Sequence, residues 1–389
     1  MKTILIVLDS VGVGALPDAG EYDPEPGNTL GNIAGAVGGL TMPFMESLGL
    51  GKVTEVKGLR HSLPALGAYG KMASQTKGKD TTAGHWEIAG LLLDKPLPTF
   101  PQGFPEDFIL DYQEAIGRLT LGNVVASGTE IIERLGAAHM ETGYPIVYTS
   151  ADSVFQLAAH EEVVPLQQLY QWCETARKML ADDLGVGRVI ARPFIGRPGN
   201  FTRTANRHDY SLRPIGPTIL EGLAAAGRQV LAVGKIKDIY AGCGVTGHRP
   251  TVSNADGIAA TFQMLDQLQD GLIFTNLVDF DMIYGHRNNP QGYAQALEEA
   301  DRLLAPLAKR CEEEGVMLMI TADHGNDPTT ADTDHNREYV PILACGGGLK
   351  KGVDLGTRET FADIAATLAE RHQISWSGPG KSFYSLIKE

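Results

Sequence analysis

Apolar residues along the chain gather in short unbroken runs, each closed by a polar residue or a glycine. The clearest are ILIVLD (4–9), PIVYTSAD (145–152), QVLAVGK (229–235), LIFTNLVDFD (272–281), VMLMITADHG (316–325) and YVPILACG (339–346). Runs that do not alternate predict strands buried on both faces, as in a parallel sheet. Between them the period changes. Tyr293, Ala296, Leu297, Ala300, Leu303, Leu304, Leu307, Ala308 and Cys311 recur at steps of three and four, which predicts a helix over 293–311. A second helix is predicted from Thr360, with Asp363 placed as in a capping box and Phe361, Ile364, Ala365 and Leu368 on one face. Strand alternating with helix predicts an α/β, doubly wound core around a mainly parallel sheet.

Two proline-punctuated stretches, KPLPTFPQGFP (95–105) and RPIGPT (213–218), bracket a segment with the pattern of a smaller α/β unit. The expected organisation is a core made from residues 1–98 and 214–389, with a cap inserted over 99–213. A chain of 389 residues is long enough for both.

The net charge of −14 argues against general binding to nucleic acid or to an anionic membrane, which would repel the chain. No run approaches the roughly 20 apolar residues of a membrane span. The start MKTILIVLDS imitates a signal peptide, but its apolar run stops at Leu8 and no small-residue cleavage site follows, so it reads as a buried first strand. Cys173, Cys243, Cys311 and Cys345 lie far apart and suit a reduced, cytoplasmic protein better than a disulfide framework. The charge is compatible with a monomer or a homodimer.

In open α/β sheets ligands bind beyond the carboxyl ends of the strands. Asp9 closes the first run, Asp281 and His286 lie in DFDMIYGHR, Asp323 and His324 in TADHGNDP, and His335 in TDHNRE. Singly, each has a plain explanation: a helix cap for Asp9, a structural histidine, an orienting Asp-His pair. As a set, three carboxylates and three imidazoles follow strands expected to converge on one sheet edge. Without cysteine they do not make a structural zinc knuckle, and mixed oxygen and nitrogen ligands fit Mn, Mg or catalytic Zn. Two ions about 3.5–4 Å apart need about this many protein ligands. A dinucleotide fingerprint fails because Pro17 stands where the third glycine after Gly12 and Gly14 belongs, and no P-loop is present.

DS at 9–10, DTTAGHWE (80–87), VDFDMIYGHR, TADHG, DTDHNREYVP and FTRTANRHDY together resemble the alkaline phosphatase superfamily, and more narrowly its phosphopentomutase family, across essentially the whole chain. The resemblance implies a core of alkaline-phosphatase type with a cap, two Mn²⁺ (Mg²⁺ or Zn²⁺ as substitutes) and a phosphothreonine enzyme. The implied reaction interconverts ribose 1-phosphate and ribose 5-phosphate, and the deoxyribose pair. Glucose 1,6-bisphosphate or ribose 1,5-bisphosphate would be the activator. By motif, one metal falls to Asp281, His286 and His335, the other to Asp9, Asp323 and His324 with the Thr81 oxygen nearby. Thr81 takes the nucleophile position, Thr82 is its neighbour, and Ala83 stands third. Trp86 is expected as a packing anchor and Glu87 as the start of a helix.

Six arginines between positions 188 and 213, opposed only by Asp209, form a cationic island suited to phosphate. Arg192 and Arg207 are the expected substrate contacts, with Arg188 and Arg197 on a solvated face. Lys235 is a candidate for the distal phosphate and Asp152 for the sugar hydroxyls or the nucleophile region. The partner implied is a small phosphosugar, and a cap closing over the sheet edge would keep water out. Other readings remain: a cofactor-independent phosphoglycerate mutase or a phosphatase on the same metals, or a phosphosugar sensor without turnover. A sulfatase lacks its C/S-x-P-x-R run around Thr81.

Overall fold

The strands in chain order are β1 Lys2–Leu8, β2 Ala68–Met72, β3 Leu121–Val125, β4 Ile146–Thr149, β5 Val154–His160, β6 Arg188–Arg197, β7 Asn200–Arg203, β8 His208–Ser211, β9 Gln229–Val233, β10 Gly247–Arg249, β11 Gly271–Leu277, β12 Met317–Thr321, β13 Val340–Gly346 and β14 Asp354–Arg358, and the six apolar runs form β1, β4, β9, β11, β12 and β13. The computed structural model describes residues 1–150 and 152–389. The chain divides into two units, Met1–Pro96 with Pro214–Glu389, and Leu97–Arg213. The run predicted over 145–152 gives β4, and Ala151 lies outside the described residues.

The larger unit holds an eight-stranded sheet in the order β10-β9-β11-β1-β12-β13-β2-β14. β1 is its central strand, parallel to β11 on one side and β12 on the other, with Ile6 opposite both Thr275 and Ile320. Ile4 to Leu8 are buried throughout, each such side chain contributing roughly 1.5–3 kcal/mol as an upper bound. The parallel register brings Leu8 beside Leu277 and Val7 beside Thr321, so three carboxyl ends leave the sheet side by side.

Two expectations are corrected here. β13 has the same continuous apolar pattern as β12, yet runs antiparallel to both β12 and β2, because burial on both faces sets the pattern whatever the strand direction. The helix expected from Thr360 begins at Asp363 without a side-chain cap. Thr360 Oγ1 instead donates to Glu87 (2.7 Å), while Asp363 accepts from Arg358 Nε and Lys381 N, both at 2.6 Å. Buried tertiary partners outcompete the local box. The long helix spans Pro290–Glu314, wider than its predicted period, with Asn289 capping Gly292 N at 2.9 Å.

His372 closes the Asp363 helix, fully buried, with Nε2 2.9 Å from Thr3 Oγ1 and Nδ1 without a hydrogen-bond partner among the described residues. Burial, then the charge of Arg371, pushes its pKa from 6.5 down to about 4. The unfolded chain therefore binds more protons between those values, and stability is lost as pH falls through that window, by roughly 3 kcal/mol in all. His372→Gln removes this titration. Its melting temperature should decline less steeply than that of the parent between pH 6.5 and 4; parallel curves would assign the acid sensitivity elsewhere.

The second unit carries the sheet β3-β4-β5-β6-β7, with β8 paired to β6. Phe104, Phe108, Tyr112 and Phe155 pack edge-on and stacked in its core beside Trp172 and Cys173. Among the described residues no helix is long and apolar enough to cross a membrane.

Candidate metal centre

Each candidate ligand of the sheet edge sits where the backbone leaves regular structure. Asp9 follows β1 directly, and Ser10 after it takes φ 70°, a left-handed conformation uncommon for a residue with a side chain. The turn is held by Ser10 N donating to Asp323 Oδ1 (3.1 Å), by the Ser10 and Tyr293 hydroxyls at 2.9 Å, and by Asn326 N donating to Ser10 O (3.2 Å). Asp9 is therefore no helix cap. After β11 the chain opens into a wide π-type turn, Phe280–Tyr284, then a 3-10 turn, Gly285–Arg287. These carry Asp281 and His286, and such turns concentrate at functional sites.

Five of the six residues come together as two triplets that share Asp281, and Asp323 stands beside them. In one, His286 Nε2 is 3.1 Å from Asp281 Oδ2, His335 Nε2 is 3.4 Å from Asp281 Oδ1, and the two imidazole nitrogens are 3.1 Å apart. In the other, Asp9, Asp281 and His324 offer ligand atoms all within 4.8 Å of one another. His324 Nε2 lies 3.5 Å from Asp9 Oδ1, 3.3 Å from Asp323 Oδ2 and 3.2 Å from Thr81 Oγ1. Asp323 thus borders the second triplet through His324.

The imidazoles are oriented for ligation. His286 Nδ1 faces Thr333 O at 2.6 Å and His324 Nδ1 faces Gly325 O at 3.0 Å. A ring N–H spent on a carbonyl leaves the Nε2 lone pair for a cation. Asn326 Nδ2 donates to Asp281 Oδ1 at 2.9 Å and fixes the shared carboxylate. Asp9 Oδ1 is buried without a hydrogen-bond donor among the described residues, a costly state for a carboxylate oxygen that a cation would relieve.

Electrostatics give the same result. Burial, then the negative charges of Asp323 and Asp281, raise the Asp9 pKa well above its ordinary range. Burial also works against ionised Asp281, but His335 and hydrogen bonds from His286 and His335 hold its pKa well below normal. His335 is raised to about 10, burial being outweighed by Asp281, whereas burial lowers His324. The centre is built to hold positive charge among its carboxylates. Oxygen and nitrogen donors in two adjoining groups suit divalent ions.

Thr81 opens the helix Thr81–Ile88, half-buried. Asp80 caps that helix, its Oδ1 accepting from Ala83 N at 3.1 Å. The helix presses closely on the sheet edge, since a Cβ on Gly84 would stand 2.2 Å from Asp323 O. Ala83, one residue before Gly84, is buried, so the third place of the motif is a packing position. Trp86 is buried and donates Nε1 to Ile239 O at 3.3 Å. Glu87 does not begin the helix but lies near its end. There its carboxylate accepts from Ser74 Oγ, Gln75 N, Thr76 N, Thr360 Oγ1 and Phe361 N, because a buried carboxylate needs donors on every side.

The remaining candidates are divided between the two units. Lys235 follows β9 on the same sheet edge and is exposed. In the second unit, Asp152 is exposed in the turn between β4 and β5. Arg192 on β6 donates Nε to Gln156 Oε1 at 3.1 Å. Arg207 is locked in a two-pronged pair with Asp209, both contacts 2.6 Å, while Arg197 is exposed at the end of β6. Sequence reasoning missed Asn276, whose Nδ2 donates to Asp9 Oδ2 at 2.7 Å, and Asn326. The only signal was an amide placed near the polar end of a buried strand.

A family model described as the metalloenzyme superfamily matches residues 1–376. The chain is 58% identical over 388 residues to the phosphopentomutase of Carboxydothermus hydrogenoformans, covering 100% of both chains. It is 57% identical over 382 residues to that of Caldanaerobacter subterraneus subsp. tengcongensis, covering 98% of this chain and 97% of the relative. Among solved structures, a protein of Pyrococcus horikoshii aligns with a TM-score of 0.50 at 16% identity, covering 97% of this chain and 98% of that one. That likeness speaks for the fold alone. With a paired Asp-His centre at the ends of parallel strands and full-length identity of this order, the chain belongs to the phosphopentomutase family of the metalloenzyme superfamily.

Proposed function

We propose that the chain is a cytoplasmic phosphopentomutase. It interconverts ribose 1-phosphate and ribose 5-phosphate, and the deoxyribose pair, through a phosphothreonine at Thr81. The observation that carries this reading is the Thr81 hydroxyl at 3.2 Å from His324 Nε2, beside the two Asp-His triplets. Asp281, His286 and His335 would hold one divalent ion, Asp9, Asp323 and His324 the other, with Mn²⁺ the expected metal. Bound there, the ions supply a lowered hydroxyl pKa and neutralisation of phosphate charge.

The protein's own groups do the rest. Thr81 presents its oxygen from the first turn of a helix, whose dipole favours an anion at that end. Lys79 ties the preceding loop to Asp23 (3.1 Å) and Asp334 (3.3 Å), next to His335. Arg192 and the neighbouring arginines give the second unit a phosphate-seeking surface, with Arg192 and Arg207 as substrate contacts. Lys235 and Asp152 serve the distal phosphate and the sugar hydroxyls. A bisphosphorylated sugar, glucose 1,6-bisphosphate or ribose 1,5-bisphosphate, primes Thr81.

Purified protein given Mn²⁺, glucose 1,6-bisphosphate and ribose 5-phosphate should form ribose 1-phosphate. Conversion of 3-phosphoglycerate without any ribose 1-phosphate would overturn the assignment. Arg207→Ala should raise KM for ribose 5-phosphate about tenfold or more, and Arg197→Ala much less, as loss of a charge-assisted fork predicts; equal effects would refute the ranking.

A further inference from the structure

We propose that His85, with its tautomer set by Asn276, is a positioning residue that fixes the distance between the Thr81 helix and the Asp9–Asp323 side of the metal centre. His85 and Asn276 are buried, and neither belongs to the metal triplets. Asn276 closes the buried strand β11, and its Nδ2 donates to Asp9 Oδ2 at 2.7 Å while standing 3.3 Å from His85 Nε2. Its Oδ1 has no donor among the described residues, so the amide orientation is dictated by the two acceptors on the Nδ2 side. Turning the amide over would put Oδ1 against the Asp9 carboxylate.

One proton arrangement follows. The second Asn276 amide hydrogen points at His85 Nε2, which accepts, so the ring carries its proton on Nδ1. That Nδ1–H donates to Thr81 O at 2.9 Å and lies 2.9 Å from Asp323 Oδ2. Phe274 stacks on the ring at 6.1 Å, and the Tyr240 hydroxyl donates to His85 O. The first turn of the nucleophile's helix, Asp323 and Asp9 are thus tied through two side chains that touch neither solvent nor the reacting oxygen. Such supporting partners change metal affinity or activity by about 10–100-fold when removed, and an ångström of misplacement suffices for a loss of that order.

The turnover half of the test rests on the phosphothreonine reading; the metal half does not. His85→Asn retains a donor near the Nδ1 position, whereas His85→Leu fills similar space without one. The asparagine variant should keep most of the turnover. The leucine variant should lose kcat about 10–100-fold with KM little changed, and should bind Mn²⁺ about tenfold more weakly by calorimetry. Should the leucine variant fail to fold, His85→Gln, with its amide near the Nε2 position, takes its place with the same expected losses. A leucine or glutamine variant matching the asparagine variant in both kcat and Mn²⁺ affinity would overturn the assignment. Loss of melting temperature alone, with kcat and Mn²⁺ affinity unchanged, would overturn it equally. If no variant or parent turns over ribose phosphate, the functional reading fails and the Mn²⁺ titration still decides the role of His85.

Discussion

Thr81→Ala should abolish phosphoryl transfer, by at least about 10³-fold, while leaving Mn²⁺ affinity within a few-fold of the parent. The Thr81 oxygen is the threonine hydroxyl that faces His324 Nε2, at 3.2 Å, and alanine leaves nothing there to accept a phosphoryl group. The fold has no reason to suffer. Asp80 caps the helix through Ala83 N rather than through Thr81, and alanine has a high intrinsic helix propensity. The triplet carboxylates and imidazoles keep their own partners, so metal binding is spared. Intact-mass measurement after incubation with glucose 1,6-bisphosphate should show one added phosphoryl group on the parent and none on the variant. Thr82→Ala serves as the contrast, since Thr82 shares the first helical turn but among the described residues makes no side-chain hydrogen bond to His324, and should retain most activity. Inactivity of Thr82→Ala with activity of Thr81→Ala would move the nucleophile by one residue.

The strands that carry the site were legible because complete burial writes itself as an apolar run, and Asp9, Asp281 and Asp323 each punctuate one. Direction was not legible. β13 reads like β12 because an antiparallel strand with both faces covered has the same composition as a parallel one. β2 and β14 escaped for the opposite reason. β2 alternates buried and half-buried residues, and its Gly70 lets the Gly356 carbonyl approach so closely that a Cβ would stand 2.6 Å away. β14 is a largely exposed edge.

At the site, ionisable side chains announce themselves and amides do not. Asp281, His286 and His335 could be picked out by type, whereas Asn276 and Asn326 have roles defined only by what lies across the sheet. The capping box at Thr360 failed on the same ground: the motif is local, and Glu87 and Arg358 offered buried, charged partners. The sharing of Asp281 between two triplets is also a property of geometry, since no spacing along the chain distinguishes it from Asp9.

Asp9→Asn is expected to make the metal-free protein more stable and the Mn²⁺-saturated protein less stable than the parent, with turnover falling by about 10³-fold or more. Asp9 is fully buried, its Oδ1 has no donor among the described residues, and burial with Asp323 and Asp281 nearby raises its pKa well above the ordinary range. A carboxyl whose folded pKa is raised costs stability above its unfolded pKa, because the fold then holds a charge it disfavours. Asparagine keeps the shape and an oxygen to accept from Asn276 Nδ2, and removes that charge. In EDTA its melting temperature should therefore exceed the parent's by several degrees, at roughly 2–4 °C per kcal/mol for a unit of this size. Bound ions reverse the order. At a hundred times Kd each site contributes about 2.7 kcal/mol to the parent, and a neutral amide in place of the carboxylate weakens the site that includes His324. The two melting curves should cross as Mn²⁺ is added. A variant less stable than the parent in EDTA as well would mean that the Asp9 carboxylate supports the fold through its bond to Asn276 rather than storing repulsion for a cation to relieve.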